Sequence, residues 1–318
     1  MPNHITEAQI DTAMDVGDFV ASCDEAFRLY GSGELTNLPR KESVILEGED
    51  DVFRLELAGV WEGRLSGRKV IVERSDVSTG RLGERSATIE MTLEDDPAMI
   101  RVEAERITNR RTGAAAVLGA QYLSVSSETV AVVGTGRIAQ SVALAADHLL
   151  RPKLIKITSR KAESRSSFVS ENGHWLNAEL VAVEGIAETV SDADVVITTV
   201  PTPEPILGLG MLRPDAHLSV VGGDPRTVQL DLDLLTDRQV IVDHPEQARQ
   251  SGDFLRYADR LADIRFASFE GREAHIGDAA LGRLSGDDGV GHVTYFTGMG
   301  IQDLHAAYTA YIKLNPGT

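Results

Sequence analysis

The stretch TVAVVGTGRIAQ, Thr129 to Gln140, constrains the fold more than any other part of this 318-residue chain. A run rich in valine ends on Gly134-Thr135-Gly136, and a helical run, RIAQSVALAADHLL, follows at once. The first glycine permits a tight strand-to-helix turn. The second lets a pyrophosphate approach the backbone, and the small third residue, Ala139, lets the helix pack on the strand. Alone, such a turn could be purely structural, so its setting matters. Beyond it come strand LIKITS, helix KAESRSSFVSENG, and strands LVAV, VVITTV, HLSVVG and QVIVD. Continuous apolar strands alternating with helices predict an α/β fold, a Rossmann-type doubly wound parallel sheet covered on both faces, and hence dinucleotide binding.

The first third of the chain has another texture. Over residues 7–31, Ile10, Met14, Phe19, Val20, Ala26, Phe27 and Leu29 recur at helical spacing and predict one amphipathic helix ending at Gly31 and Gly33. After Pro39, the runs SVILEG, VFRLEL, RKVIVE, SATIEMTL and MIRVEA are separated by Gly, Asp and Pro, which predicts a meandering sheet. TGAAAVLGAQYL, from Thr112, turns helical, and VTYFTGMGIQDLHAAYTAYIKL predicts a strand or turn feeding a last helix.

Charge and composition exclude several functions. With 49 acidic against 31 basic residues the chain carries a net charge of -18, which argues against a nucleic-acid partner, since phosphate binding needs a positive surface. The single cysteine, Cys23, excludes an internal disulfide framework and a cysteine-based zinc site, and no histidine pair has metal spacing, so no metal is expected. MPNHITEAQIDTAMD lacks a basic start followed by an apolar core, and no run is apolar enough to span a bilayer. No membrane partner and a cytoplasmic location are expected.

At the end of the second strand of the alternating region, LIKITSRKA places Ser159, Arg160 and Lys161 where an NAD site often has an acid for the adenosine ribose. An acid would repel a 2′-phosphate, whereas a hydroxyl and two cations can bind it. The expected cofactor is therefore NADP(H), with NAD(H) possible. The alternative is that two solvated basic residues simply begin the next helix.

ITNRRTGAAA, Ile107 to Ala116, leads into the glycine turn. With EAFRLYGSGELTNLPR, GRKVIVE, VVITTVPTPEPIL, VVGGDPRTVQLD and TGMGIQDLHAA in the same order, the chain resembles the ornithine cyclodeaminase and mu-crystallin family over most of its length. The resemblance implies a Rossmann domain, residues 117–294, inserted into an α+β substrate and dimerisation domain, residues 1–116 with 295–318, in a homodimer. It also implies cofactor contacts from Gly134, Thr135, Gly136, Arg137, Ile138, Thr199, Val200 and Gly298, beside Ser159, Arg160 and Lys161.

Arg40, Lys69 and Arg111 match the family's basic positions for a substrate carboxylate, with Lys41 as an alternative to Arg40. Three cations converging in an acidic protein would need an anionic ligand, and a Lys69 buried beside arginines would lose basicity and gain acid/base competence. Asp224 matches the carboxylate that acts on the substrate amino group, although PRTVQLD after it departs from the family's P-G-K-x-E-L. At such a position an aspartate can also simply hold a turn.

The partner implied is a small α-amino or α-imino acid. The reading preferred is an NADP(H)-dependent ketimine reductase or amino-acid dehydrogenase. Its alternatives are an NAD-dependent, ammonia-releasing cyclodeaminase and a non-catalytic NADPH or ligand binder like mu-crystallin.

Overall fold

The computed structural model describes residues 3–48, 50–77, 82–286 and 289–316. The first of these segments breaks the expected long helix in two. Thr6 and Gln9 form a capping box on α1, Glu7–Ala13, and Asp15 and Asp18 form another on α2, Val16–Ser32, with Asp15 Oδ1 accepting from the Asp18 amide at 2.9 Å. Hydrophobic spacing alone runs through this break because Ile10 and Met14 on one side and Phe19 on the other all point into one core. Gly33, at φ +85, ends α2.

The chain divides into two compact units, residues 1–111 with 299–318 and residues 112–298. In the first, β1 (His4–Ile5), β2 (Leu35–Asn37), β3 (Lys41–Glu47), β4 (Asp50–Trp61), β5 (Leu65–Asp76), β6 (Leu82–Leu93) and β7 (Asp96–Glu103) form a sheet in the order β1-β7-β6-β5-β4-β2, with β3 also paired to β4. Strands β3 to β7 make the antiparallel meander that the sequence predicts. Its inward residues Leu55, Leu57, Ile71, Ile89, Met91, Ile100 and Val102 pack with Ile10 and Phe19 and with Leu304 and Ala307 of the last helix, Gly300–Leu314. Gly67 lets that helix come close, since a Cβ there would lie 2.7 Å from Leu304 Cδ2 and 2.4 Å from the Glu90 carbonyl.

Helix α3, Glu105–Leu123, continues through the division at Arg111 and Thr112. The second unit holds β8 (Thr129–Val133), α4 (Arg137–Leu149), β9 (Leu154–Thr158), α5 (Ala162–Asn172), β10 (Glu179–Ala182), β11 (Val195–Thr198), β12 (His217–Val221), β13 (Val240–Val242), the hairpin strands β14 (Ser268–Phe269) and β15 (Arg272–Glu273), and β16 (Val293–Phe296). The sheet runs β10-β9-β8-β11-β12-β16-β13 with every pair parallel. This is the doubly wound α/β sheet expected.

The expected boundaries at 116 and 295 shift to Arg111 and Gly298. Val293–Phe296 is an interior strand between β12 and β13, so a cut at 295 would split it. The small-residue run in α3 begins at the division, and its residues are buried on every side of the helix, so the change of texture starts at Thr112 and not at 116. Among the described residues no helix is long and apolar enough to cross a membrane.

At the N-terminal end of β12, His217 is fully buried. Its Nε2 lies 3.1 Å from both Ser219 Oγ and Thr294 Oγ1. Burial, reinforced by His292 and Arg238, holds its pKa down to about 3, so the folded state keeps it neutral while the unfolded chain protonates it below about 6.5. Its contribution is therefore present above the unfolded value and is lost as the pH falls from there towards 3. By pH 5 the wild type should lose about 2 kcal/mol relative to His217→Gln, compared with pH 7. Urea unfolding of both proteins at the two pH values measures this, and parallel profiles would contradict it.

Candidate active site

The topology concentrates the expected cofactor residues at one place. β8 has β9 on one side and β11 on the other, so the chain winds away in opposite directions from this point, where open α/β sheets bind ligands beyond their strand ends. Gly134 leaves β8 at φ +127, and a Cβ on it would lie 2.5 Å from Thr199 Oγ1, so only glycine fits without strain. Its amide donates to the Thr158 carbonyl at 2.9 Å, and Thr199 donates through N and Oγ1 to the Val133 carbonyl at 3.0 and 3.2 Å. The ends of β8, β9 and β11 are thereby tied together, which gathers Gly134, Ser159, Thr199 and Val200.

Gly136 begins α4, and no side chain caps its first turn. Its φ is -87, and a Cβ there would meet no atom within 4 Å, so nothing in the chain itself requires glycine. The bare backbone there leaves the helix-start amides open to a ligand, and those amides with the helix dipole favour a phosphate. Thr135 and Ile138 are partly buried beside it, and Arg137 is exposed. These residues fit the pyrophosphate of a dinucleotide.

At the neighbouring strand end, β9 stops at Thr158, and the partly buried Ser159 follows. Arg160 and Lys161 are exposed, and Lys161 is the residue from which α5 starts. The sequence reading did not single out Arg165, whose Nη1 donates to the Ser159 carbonyl at 2.6 Å and so braces this turn from one helical turn further on.

Gly298 is held by two residues that sequence reasoning missed. Its amide donates to Asp243 Oδ2 at 2.7 Å, and its carbonyl accepts from Gln247 Nε2 at 2.7 Å. Asp243 is fully buried and also accepts from Thr297 N at 2.8 Å and Thr297 Oγ1 at 2.7 Å. Burial nevertheless pushes its carboxyl up. The available signal was an acid ending the apolar strand QVIVD, where only a buried set of donors could hold it.

Asp224 lies beyond the end of β12 in Gly222-Gly223-Asp224. Its Oδ1 accepts from the Arg226 amide at 2.8 Å and from Arg226 Nε at 3.0 Å, and Oδ2 accepts from Arg226 Nη2 at 2.7 Å. The carboxylate thus folds back on its own turn.

In the first unit, Lys69 on β5 and Arg111 on α3 converge on one carboxylate. Lys69 Nζ lies 2.7 Å from Asp303 Oδ2, and Arg111 reaches Asp303 Oδ1 through Nε at 2.8 Å and Oδ2 through Nη2 at 3.2 Å. Arg111 Nη1 also donates to Gln302 Oε1 at 3.2 Å, and Lys69 Nζ lies 3.4 Å from Thr108 Oγ1. Exposure is 1% for Lys69, 5% for Arg111 and 0% for Asp303, so the cluster is dry and its charges interact strongly. Burial first, and then the Arg111 charge, lower Lys69 to about 7, against the opposing pull of Asp303.

Asp303 corrects the expectation that the cations need an external anion, because the protein supplies one carboxylate for two basic groups. Arg40 does not join them in this cluster. It forms an ion pair with Glu42, one residue before β3 begins. Lys41 pairs with Glu56 and Lys69 with Leu57, so the register sets Arg40 level with Lys69 across β4.

The sequence profile described as the ornithine cyclodeaminase/mu-crystallin family matches residues 3–317. Alanine dehydrogenase of Archaeoglobus fulgidus is 25% identical over 311 residues, 96% of this chain and 93% of that protein. L-lysine cyclodeaminase of Streptomyces rapamycinicus is 32% identical over 189 residues, 56% of this chain and 54% of that one. The structure of Thermococcus litoralis Δ1-pyrroline-2-carboxylate reductase, in complex with NADH and L-proline, superposes with a TM-score of 0.84 at 20% identity, covering 98% of this chain and 96% of that one. The chain belongs to the ornithine cyclodeaminase/mu-crystallin family. Its characterised relatives include an amino-acid dehydrogenase and a cyclodeaminase.

Proposed function

We propose that this protein is an NADP(H)-dependent oxidoreductase acting on the C–N bond of a small α-imino or α-amino acid, as a ketimine reductase or amino-acid dehydrogenase. The observation that carries this reading is Lys69, buried against Asp303 and Arg111 with its pKa brought to about 7. Such a group can give up or take a proton near neutral pH. A dihydronicotinamide, when bound, supplies hydride to the imine carbon. Lys69 delivers the proton to the imine nitrogen, and Arg111, with N–H donors beyond those engaged by Asp303 and Gln302, holds the carboxylate.

Gly134 to Ile138, Thr199, Val200 and Gly298 hold the dinucleotide in this reading, and Asp224 orients the amino or imino nitrogen. The first unit serves as the substrate and dimerisation domain. Its strand β3 exposes Val44 at 63%, Ile45 at 51% and Leu46 at 67%, an apolar surface that a second copy would cover.

Incubating the purified protein with NADPH and pyrroline-2-carboxylate or piperideine-2-carboxylate should bleach the dihydronicotinamide absorbance. Release of ammonia from ornithine with catalytic NAD+ and no net absorbance change would replace this reading with cyclodeamination. NADPH binding without turnover across a panel of imines and amines would make the protein a binder.

Cofactor choice rests on the end of β9. Arg160→Ala should raise the Kd for NADPH about tenfold, the worth of one charge-assisted bond, and leave that for NADH within about twofold. Ser159→Asp should weaken NADPH and strengthen NADH. Unchanged preference in both variants, measured by fluorescence titration, removes these residues from the phosphate site.

A further inference from the structure

Beneath the turn that carries Asp224 lies a buried hydrogen-bond chain with no counterpart in the sequence reading. Tyr295 and Asp253 are both fully buried. Tyr295 Oη lies 3.0 Å from the Gly222 carbonyl and 2.7 Å from Asp253 Oδ2, and Asp253 Oδ1 accepts from the amides of Gln229 at 2.9 Å and Leu230 at 2.8 Å. Gln229 continues the chain across the sheet: its Nε2 donates to the Val221 carbonyl at 2.8 Å, and its Oε1 accepts from Thr198 Oγ1 at 2.8 Å. The ends of β11, β12 and β16 are therefore joined by side chains at the point where Gly222-Gly223-Asp224 leaves β12.

The turn rests directly on this chain. A Cβ at Gly222 would lie 2.3 Å from Tyr295 Oη, so that glycine is closed against the network, and one at Gly223 would lie 2.5 Å from the Thr297 carbonyl, so the next glycine is closed against the backbone after β16. A count of protons points to its state. The Tyr295 hydroxyl has one proton but faces two acceptors, a carbonyl and a carboxyl oxygen. Both contacts are satisfied when Asp253 Oδ2 carries a proton, donates it to Tyr295 Oη, and leaves the hydroxyl to donate to Gly222. Burial, which raises Asp253 against the opposing hydrogen bonds from Tyr295, Leu230 and Gln229, acts in the same direction.

We propose that Tyr295 and a protonated Asp253 are positioning residues that fix the Gly222–Asp224 turn, and through it the carboxylate of Asp224, at the C-terminal edge of the parallel sheet. The role assigned to Asp224 rests on the function proposed above, whereas the fixing of the turn does not. Tyr295→Phe keeps the ring in its edge-on contact with Phe254, at 4.9 Å between centroids, and removes only the hydroxyl.

In hydrogen-exchange mass spectrometry, amides in the peptide covering residues 222–227 should exchange about tenfold faster in Tyr295→Phe, as loss of one buried hydrogen bond implies. Asp253→Asn can still donate to Tyr295 and should keep the turn protected, while Asp253→Ala should not. With a cyclic imine, kcat of Tyr295→Phe should fall about tenfold with KM and NADPH affinity within about twofold. A folded Tyr295→Phe protein with unchanged exchange at residues 222–227, or an Asp253→Asn protein as loose as Asp253→Ala, overturns the proposed chain. Faster exchange in Tyr295→Phe at wild-type kcat overturns the catalytic consequence alone. A wild-type kcat in Asp224→Asn overturns instead the role given to Asp224.

Discussion

Asp303→Asn should destabilise the first unit by roughly 3 kcal/mol, because it leaves Arg111 buried without a carboxylate and forces Lys69 to give up its proton. Wild-type Lys69 stays partly charged at neutral pH only because Asp303 lies 2.7 Å away, opposing burial and the Arg111 charge. Removing one partner of a buried ion pair costs more than the pair is worth, since the survivor keeps its desolvation penalty. Trp61 reports on this unit, stacked on His305 at 5.2 Å, while Trp175 of the second unit is 68% exposed. Urea unfolding followed by tryptophan emission should therefore show the loss. Adding Lys69→Met to Asp303→Asn should cost less than the sum of the two single changes, because the residues share one interaction. A change below about 1 kcal/mol in Asp303→Asn would mean that the cluster does not hold the sheet to the last helix.

Arg111→Lys should lower kcat/KM for imine reduction about a hundredfold and leave the Kd for NADPH within about twofold. Charge is conserved, so the loss measures geometry. Arg111 reaches both oxygens of Asp303 and, through its third nitrogen, Gln302, which a flexible ammonium cannot reproduce. Two to three kcal/mol for the lost fork corresponds to roughly that factor. Steady-state kinetics with a cyclic imine decide it, and a variant within about fivefold of wild type would remove Arg111 from the carboxylate site.

How far the sequence could be read depended on whether the signal was local. The glycine turn and the apolar alternation around it are local, and the parallel sheet follows from them. So does the meander, whose strands are close neighbours in the chain. Lys69 and Arg111 were legible through their resemblance to a family pattern.

Asp303 was not, because an acid in the first turn of a helix already has a common explanation in the helix dipole. Its partners lie far away in sequence, and only the packing of the last helix on β5 brings them within bonding distance. Asp243 and Asp253 share this character, as single acids in ordinary settings whose donors arrive from distant parts of the chain. The break between α1 and α2 is the opposite case. The capping residues Thr6 and Asp15 were visible, but hydrophobic periodicity outweighed them.

The first unit is completed by residues from 299 onward, and this fixes an order of events during synthesis. Strands β4 to β7 emerge from the ribosome early, yet the helix that covers their apolar face, Gly300–Leu314, emerges only after the whole second unit. Until then Lys69 and Arg111 lack their carboxylate, and the meander presents Ile71, Ile89 and Met91 to water. The second unit closes almost as late, because its interior strand Val293–Phe296 comes only just before that helix, so both units wait, exposed to aggregation, for residues 293 onward. Docking of that helix closes the apolar core and brings the two buried basic groups their one shared carboxylate in the same step.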